Sequence, residues 1–298
     1  MTGKIKVMSI FGTRPEAIKM APVVRGLMQY TDEIETRTLV TAQHREMLDQ
    51  VLHLFHIVPD YDLNIMAAGQ TLFDITTRAM MGINEVFLQE RPDLVLVHGD
   101  TTTTFAGALA AFYHQIPVGH VEAGLRTHDI YSPFPEEMNR RLTGGIATLH
   151  FAPTPTAHAN LLAEGVPERR IFVTGNTVID ALHHIVRPDY VLPTELAGVD
   201  FANHRVLLVT THRRENLGEP MRHVYRAIRS IIEQMDDVEV VFPVHRNPKV
   251  REIVREELGG IPRVHLIDPL DYEPFANLMA RVDIVLTDSG GIQEEAPS

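Results

Sequence analysis

The feature that most constrains the fold is a regular alternation along the chain. Short runs rich in Val, Ile and Leu are separated by longer stretches with helical spacing of apolar residues. Strand candidates are Ile5–Phe11, Arg37–Thr41, Leu94–His98, Val118–Glu122, Leu149–Ala152 and Ile171–Thr174. Helical candidates lie between them, over Ala17–Met28, Arg45–Phe55, Leu72–Gln89, Thr103–His114, Glu136–Ile146 and Ala157–Glu164. A run such as Leu-Val-Leu-Val-His has no polar face, so it must be covered on both sides. Strands of that kind joined by helices form a parallel sheet between two helical layers. The first helix start is well marked: Thr13, Pro15 and Glu16 have capping-box spacing with Pro in the first turn.

The alternation lapses over Arg187–Asn203, which holds two prolines, and then restarts. Strands are expected over Arg205–Thr210, Val238–Phe242, Val264–Ile267 and Ile284–Thr287, with helices over Met221–Gln234, Asn247–Leu258 and Glu273–Ala280. The expectation is an α/β chain of two Rossmann-like domains facing a cleft, over 1–186 and 205–298, with an interdomain linker over 187–204. A length of 298 residues agrees with two domains of roughly 150 residues each. The second half offers only four strands, where a doubly wound domain usually has about five or six. A helix over Ile292–Ala296 lies just before Ser298. The second domain is therefore expected to be incomplete, and the more labile of the two.

Composition narrows the function classes. Hydrophobic residues are 44% and charged residues 22%, a globular balance. Cysteine is absent, which excludes a disulfide scaffold, a Cys nucleophile and a thiolate zinc site. With 27 basic and 39 acidic residues the net charge is −12, so nucleic acid and anionic membrane are not expected partners. No apolar run approaches the roughly 20 residues a bilayer span needs. The N-terminal run stops at a turn and is too short for a signal peptide, so the protein is expected in the cytoplasm.

Open α/β sheets bind ligands at the carboxyl ends of their strands. Four polar clusters fall there: Gly12–Glu16, His98–Thr101, His120–Gly124 and Asp288–Gly291. Turns after strands are commonly polar, and that plain reading stands beside each functional one. Asp288-Ser-Gly-Gly before a helix would seat a diphosphate on backbone N–H groups, or Ser289 simply caps the helix. Arg14 would fork onto phosphate oxygens, or it pairs with Glu16. His98, Asp100, His120 and Glu122 would hold a divalent metal, or the carboxylates are acid and base groups that the histidines orient. Glu136 and Glu137 add carboxylates at a helix start, where the anion is favoured. Thr211–Asn216 places His212 and Arg213 on a strand-end loop suited to a phosphate or leaving group, and His245 ends another strand. Neither half carries G-x-G-x-x-G after a strand, and Walker A is absent, so no nucleotide cofactor is expected.

The motifs then become recognisable. Ile10-Phe-Gly-Thr-Arg-Pro-Glu-Ala-Ile-Lys-Met-Ala-Pro22, Thr41–Arg45, Val97–Thr104 and His120–Thr127 resemble the non-hydrolysing bacterial UDP-N-acetylglucosamine 2-epimerases. So do Thr174–Asp180, His212–Asn216 and Thr287–Ser298, and the motifs run the whole length in order. The resemblance implies a glycosyltransferase-B-like fold, a homodimer, and interconversion of UDP-GlcNAc and UDP-ManNAc for surface polysaccharide. By position it makes Asp100, Glu122, Glu136 and His212 catalytic. It gives UDP to Arg14, Lys19, Phe275, Ser289, Gly290 and Glu295. It gives an activating second UDP-GlcNAc to Gln43, Gln70, Glu136, Arg213 and His245, with no metal. It also implies a further strand and a returning helix beyond Ser298.

The chemistry such an enzyme needs follows from the substrate. The sugar C2 proton is not acidic until UDP leaves C1, which generates an oxocarbenium-like centre. Removing the proton then gives 2-acetamidoglucal, and re-addition of a proton and UDP completes the exchange. Carboxylates near the sugar and anion stabilisation at UDP are required. Three other classes compete: a metal-dependent hydrolase, a glycosyltransferase, and an inactive nucleotide-sugar binder.

Overall fold

A computed structural model describes residues 3–42, 45–211, 213 and 216–298. The chain divides into two compact units, Met1–Ala181 and Leu182–Ser298. Unit one contains β1 (Ile5–Phe11), α1 (Arg14–Leu27), β2 (Ile34–Val40), α2 (Arg45–Leu54), β3 (Tyr61–Asp62), α3 (Leu72–Gln89), β4 (Leu94–His98) and α4 (Thr102–Tyr113). It continues through β5 (Val118–Val121), α5 (Glu136–Ile146), β6 (Leu149–Ala152), α6 (Pro155–Ala163) and β7 (Ile171–Val173). The division falls within α7 (Thr177–Ile185). Unit two contains β8 (Arg205–Thr210), α8 (Glu219–Gln234), β9 (Val238–Pro243), α9 (Pro248–Leu258), β10 (Val264–Ile267), α10 (Tyr272–Met279), β11 (Ile284–Thr287) and α11 (Gly290–Glu295).

Every strand pairing is parallel. The first sheet has the order β3-β2-β1-β4-β5-β6-β7, the second β10-β9-β8-β11. Both are Rossmann-like α/β units. In the first, strand order reverses between β1 and β4, and such a switch point opens a crevice at the carboxyl strand ends. One layer of the first core is built from Met8, Ile10, Leu39, Val95 and Val97 of the sheet against Ile75, Ala79 and Ile83 of α3 and the alanines of α4. A Cβ on Gly107 of α4 would stand 3.2 Å from Val97 Cγ1 and 3.5 Å from Ile10 Cγ2, so this helix lies close on the sheet. In unit two, Tyr225 and Ile228 of α8 and Val254 of α9 close over Val240 and Phe242 of β9.

The structure departs from sequence expectation at specific places. β2 begins at Ile34, three residues before the expected Arg37, because the Ile34–Thr36 backbone continues the ladder with Ile5–Val7 although its side chains are only half-buried. Two elements went unexpected, the two-residue β3 and the helix α7. The stretch 187–204 is not a bare tether. Its 3-10 turn at Thr194–Leu196 buries Leu196 and Val199, and the Arg187 amide donates to Asn277 Oδ1 at 2.8 Å within unit two.

Candidate active site

The loop after β1 is held by Glu16, in the first turn of α1. Its carboxylate is 2% exposed and accepts the Gly12 and Thr13 amides at 3.1 and 2.8 Å, the capping geometry expected from sequence. It also accepts Thr101 Oγ1 at 2.7 Å and Thr104 Oγ1 at 3.2 Å, at the start of α4. One buried carboxylate thus fastens the end of β1 to the end of β4. Gly12 has no room for a side chain, since a Cβ would lie 2.0 Å from Thr41 Oγ1 and 2.7 Å from Thr103 Oγ1. With Glu16 so occupied, the Arg14–Glu16 salt bridge weighed above does not form. Arg14 is exposed and makes no ion pair among the described residues.

His98 ends β4, Gly99 follows with φ +68°, and Asp100 stands in the turn. On the neighbouring strand β5 ends at Val121, and Glu122 lies beyond it with φ +61°. In an extended strand, residues two apart such as His98 and Asp100, or His120 and Glu122, would share a face, and here they leave that geometry. Two-residue alternation fails where the backbone leaves the extended region. Register pairs Val97 with His120 and His98 with Val121. His120 is fully buried and its Nε2–H donates to the Gly99 carbonyl at 2.7 Å. Burial pushes its pKa down to about 3, so it stays neutral and pins the Gly99–Asp100 turn. The metal reading of His98, Asp100, His120 and Glu122 finds no geometric support. No group of three or more metal-ligating side chains converges among the described residues.

Asp100 and Glu122 lie close enough to feel each other, and their environments pull in opposite directions. Burial raises the Asp100 pKa, Arg140 of α5 opposes this through an ion pair, and Glu122 and Glu136 raise it further. Burial also works to raise Glu122, but His98 and Lys19 hold it well below the usual carboxylate range. Lys19 Nζ is paired with Glu122 Oε2, and His98 Nε2 stands 3.6 Å from the same oxygen. Glu136 is half-buried in the first turn of α5. Its neighbour Glu137 is fully buried and accepts the Thr127 and His128 amides at 3.1 and 3.2 Å, which ties down the loop before α5. Gln70 is half-buried before α3 and accepts the Ala67 amide at 3.1 Å.

Sequence reasoning missed one participant and two contacts. Arg140 is the ionic partner of Asp100; Glu16, read from sequence as a cap, also ties two strand ends; and Lys19, given to UDP by the resemblance, pairs with Glu122. For Arg140 a signal existed, because it follows Glu136 by four residues and so shares its helix face.

In unit two, Asp288 accepts the Arg213 amide at 3.0 Å and Asn216 Nδ2 at 3.2 Å, which ties these two residues to the end of β11. Arg213 Nη2 lies 3.9 Å from where a Cβ on Gly290 would be. The alternative reading, a side-chain cap from Ser289, does not occur; its amide donates to Thr287 Oγ1 at 2.9 Å. Glu295 is buried on α11, and Phe275 is half-buried on α10. Burial, with Glu295 nearby, pushes the Tyr272 hydroxyl upward. His245 is exposed and its Nδ1 accepts the Asn247 amide at 3.1 Å. Gln43 and His212 lie outside the described residues.

Fold and site together define a Rossmann-type α/β protein whose neighbouring carboxyls, Asp100 and Glu122, stand just beyond the carboxyl ends of β4 and β5, beside the switch point of the first sheet. The sequence model of the family UDP-N-acetylglucosamine 2-epimerase matches residues 28–298. A Bacillus subtilis (strain 168) protein named UDP-N-acetylglucosamine 2-epimerase is 60% identical over 296 residues, covering 99% of this chain and 77% of that relative. One from Salmonella typhimurium is 55% identical over 302 residues, covering 99% and 80%. The crystal structure of UDP-GlcNAc 2-epimerase from Neisseria meningitidis bound to UDP-GlcNAc superposes with a TM-score of 0.85 at 48% identity, covering 99% and 80%. The chain belongs to the UDP-N-acetylglucosamine 2-epimerase family and is an isomerase; the hydrolase, glycosyltransferase and inactive-binder readings give way.

Proposed function

We propose that this chain interconverts UDP-GlcNAc and UDP-ManNAc by eliminating UDP and adding it back. The observation that carries the reading is the opposed pull on two neighbouring carboxyls. A pair of titratable groups pushed apart supplies an acid and a base at one pH. Glu122, held ionised, accepts the C2 proton as the C1–O bond to UDP breaks, leaving 2-acetamidoglucal and UDP. Asp100, biased toward its protonated form, delivers a proton to the opposite face of C2 while a UDP oxygen re-forms the bond to C1. Glu136 raises the proton affinity of Asp100 from the start of α5. Arg14, Lys19, Phe275, Ser289, Gly290 and Glu295 are assigned to UDP, and His212 to the departing diphosphate. The nearness of Arg213 to Gly290 adds positive charge to that anion site. A second, activating UDP-GlcNAc is assigned to Gln43, Gln70, Glu136, Arg213 and His245.

The proposed setting is a cytoplasmic homodimer. No described helix is long and apolar enough to cross a membrane. Unit one exposes Phe73 at 83%, Leu88 at 67% and Tyr113 at 68%, apolar surface of the kind an interface covers.

The test of the reaction is isotopic. UDP-GlcNAc turned over in deuterated water should acquire deuterium at C2, and free UDP and 2-acetamidoglucal should appear in trace amounts. Turnover that leaves C2 unlabelled would overturn the elimination route.

A further inference from the structure

His98 is 4% exposed, and neither ring nitrogen meets a hydrogen-bond partner among the described residues. Buried polar groups are almost always hydrogen-bonded, so each exception calls for an explanation. His120, by contrast, is committed through Nε2 to the Gly99 carbonyl. The His98 ring is instead aimed at a carboxylate. Its Nε2 stands 3.6 Å from Glu122 Oε2, the same oxygen that Lys19 holds. That distance is long for a hydrogen bond, as catalytic contacts commonly are before substrate tightens them.

The other oxygen, Oε1, has no hydrogen-bond partner among the described residues. A Cβ at position 99 would sit 3.5 Å from Oε1. That position is Gly99, with φ +68°, so no side chain stands there. Lys19 and His98 therefore both face one oxygen of Glu122 and leave the other without a protein donor among the described residues.

We infer that His98 is a positioning residue, whose Nε2–H works with Lys19 to hold Glu122 by Oε2 so that Oε1 faces the substrate C2–H. This rests on the assignment of Glu122 as the base in the elimination proposed above. A carboxylate tethered on one oxygen keeps its negative charge and a fixed direction, both of which a general base needs. Lys19 alone, on a flexible four-carbon stem, supplies the charge but not the direction. The rigid imidazole at the end of a buried strand supplies the direction.

Two amide substitutions separate this role from mere packing. In His98→Gln the side-chain amide reaches the Nε2 position; in His98→Asn it stops near Nδ1. With UDP-GlcNAc as substrate, His98→Asn should lower kcat and C2 deuterium uptake by more than about tenfold. KM and UDP affinity measured by calorimetry should stay within about twofold. His98→Gln should recover most of the loss. Equal losses in both variants, or a change confined to KM, would overturn the inference. In the unsubstituted protein, nitrogen-15 NMR of labelled histidine should show His98 protonated at Nε2 across the pH range of activity, and an unprotonated Nε2 would overturn it whether or not the variants fold. Failure of the unsubstituted enzyme to exchange C2 at all would sink the elimination reading instead, and the NMR result would still decide the orientation of His98.

Discussion

Glu16 offers the sharpest test of how the active-site edge is assembled. Glu16→Ala removes an acceptor that serves two amides and two hydroxyls, at 2.7 to 3.2 Å. The threonine hydroxyls can rotate toward other acceptors, and the single proton of Thr104 Oγ1 already has the His98 carbonyl as an alternative acceptor. The Gly12 and Thr13 amides cannot turn away. Each hydrogen bond to a charged acceptor is worth about 1.5–3 kcal/mol, and water entering the gap recovers part of it. The net loss should be about 3 kcal/mol, or roughly a hundredfold in the equilibrium for local opening. Glu16→Gln keeps one oxygen for both amides at neutral strength and should cost about 1 kcal/mol. Hydrogen exchange read by mass spectrometry suits this, because peptides over β1 and β4 report the two strand ends directly. In Glu16→Ala their amides should exchange about a hundredfold faster, with β8 and β9 as internal reference. Exchange within about threefold of the parent, or a Gln variant as damaged as the Ala variant, would refute this account of the carboxylate.

Other substitutions probe other parts of the molecule. Asp100→Asn and Glu122→Gln should each lower kcat by more than about 10²-fold, while Arg14→Ala should mainly weaken UDP binding; steady-state kinetics and calorimetry separate the two effects. Gly124 has φ +89°, and a Cβ there would lie 2.3 Å from the Ala157 carbonyl oxygen. Because that obstacle is backbone, Gly124→Ala should destabilise unit one by about 2–4 kcal/mol, visible as a drop in its calorimetric midpoint. Acid should also weaken the fold. The pKa of His120 is about 3 against an ordinary 6.5, and burial lowers His150 too. The unfolded chain takes up these protons first, so stability is present above about pH 6.5 and falls as pH drops toward the folded values. His120→Gln should flatten the fall in urea midpoint between about pH 6.5 and 4.5, before most carboxylates titrate; an unchanged slope would remove His120 as a cause.

Much of this organisation was legible in the sequence, because most strands here announce themselves. Leu94–His98 and Val118–Val121 are apolar on both faces, and the three ladders that hold them are parallel. The first-helix capping box was readable from Thr13 to Glu16, since it depends only on local spacing. What escaped depends on partners far along the chain. β3 is two residues long and pairs Tyr61 and Asp62 with β2, and no periodicity shows in two residues. Helix α7 was masked by the turn-like Gly175 and Asn176 before it, although Val178, Ala181, Leu182 and Ile185 form one apolar stripe. In the site, the carboxylates and histidines could be singled out by type and position. Whether they held a metal or a proton could not, because that turns on the left-handed backbone at Gly99 and Glu122, which rotates the side chains off their strand faces. Glu16 looked complete as a cap, and nothing local shows that it also reaches Thr101 and Thr104, 85 and 88 residues away.

The thinness of α4 sets the height of the active-site rim. Its middle is built of Ala106, Gly107, Ala108, Ala110 and Ala111, so the helix axis rides low on the sheet. Its first turn carries Thr101, Thr103 and Thr104, the residues that Glu16 and Thr41 grip. The helix is thus a stiff rod whose separation from the sheet is read out at its tip. Each methyl group added beneath it would lift or tilt the rod by a few tenths of an ångström and carry the grip points with it. Movement of those grip points changes where the carboxyl of the adjoining Asp100, proposed above as the acid, points, which makes buried positions beneath α4 a remote adjustment for it. Catalytic geometry in this enzyme is therefore open to tuning by core residues that never meet the sugar, and interior variation between family members is a place to look for differences in rate.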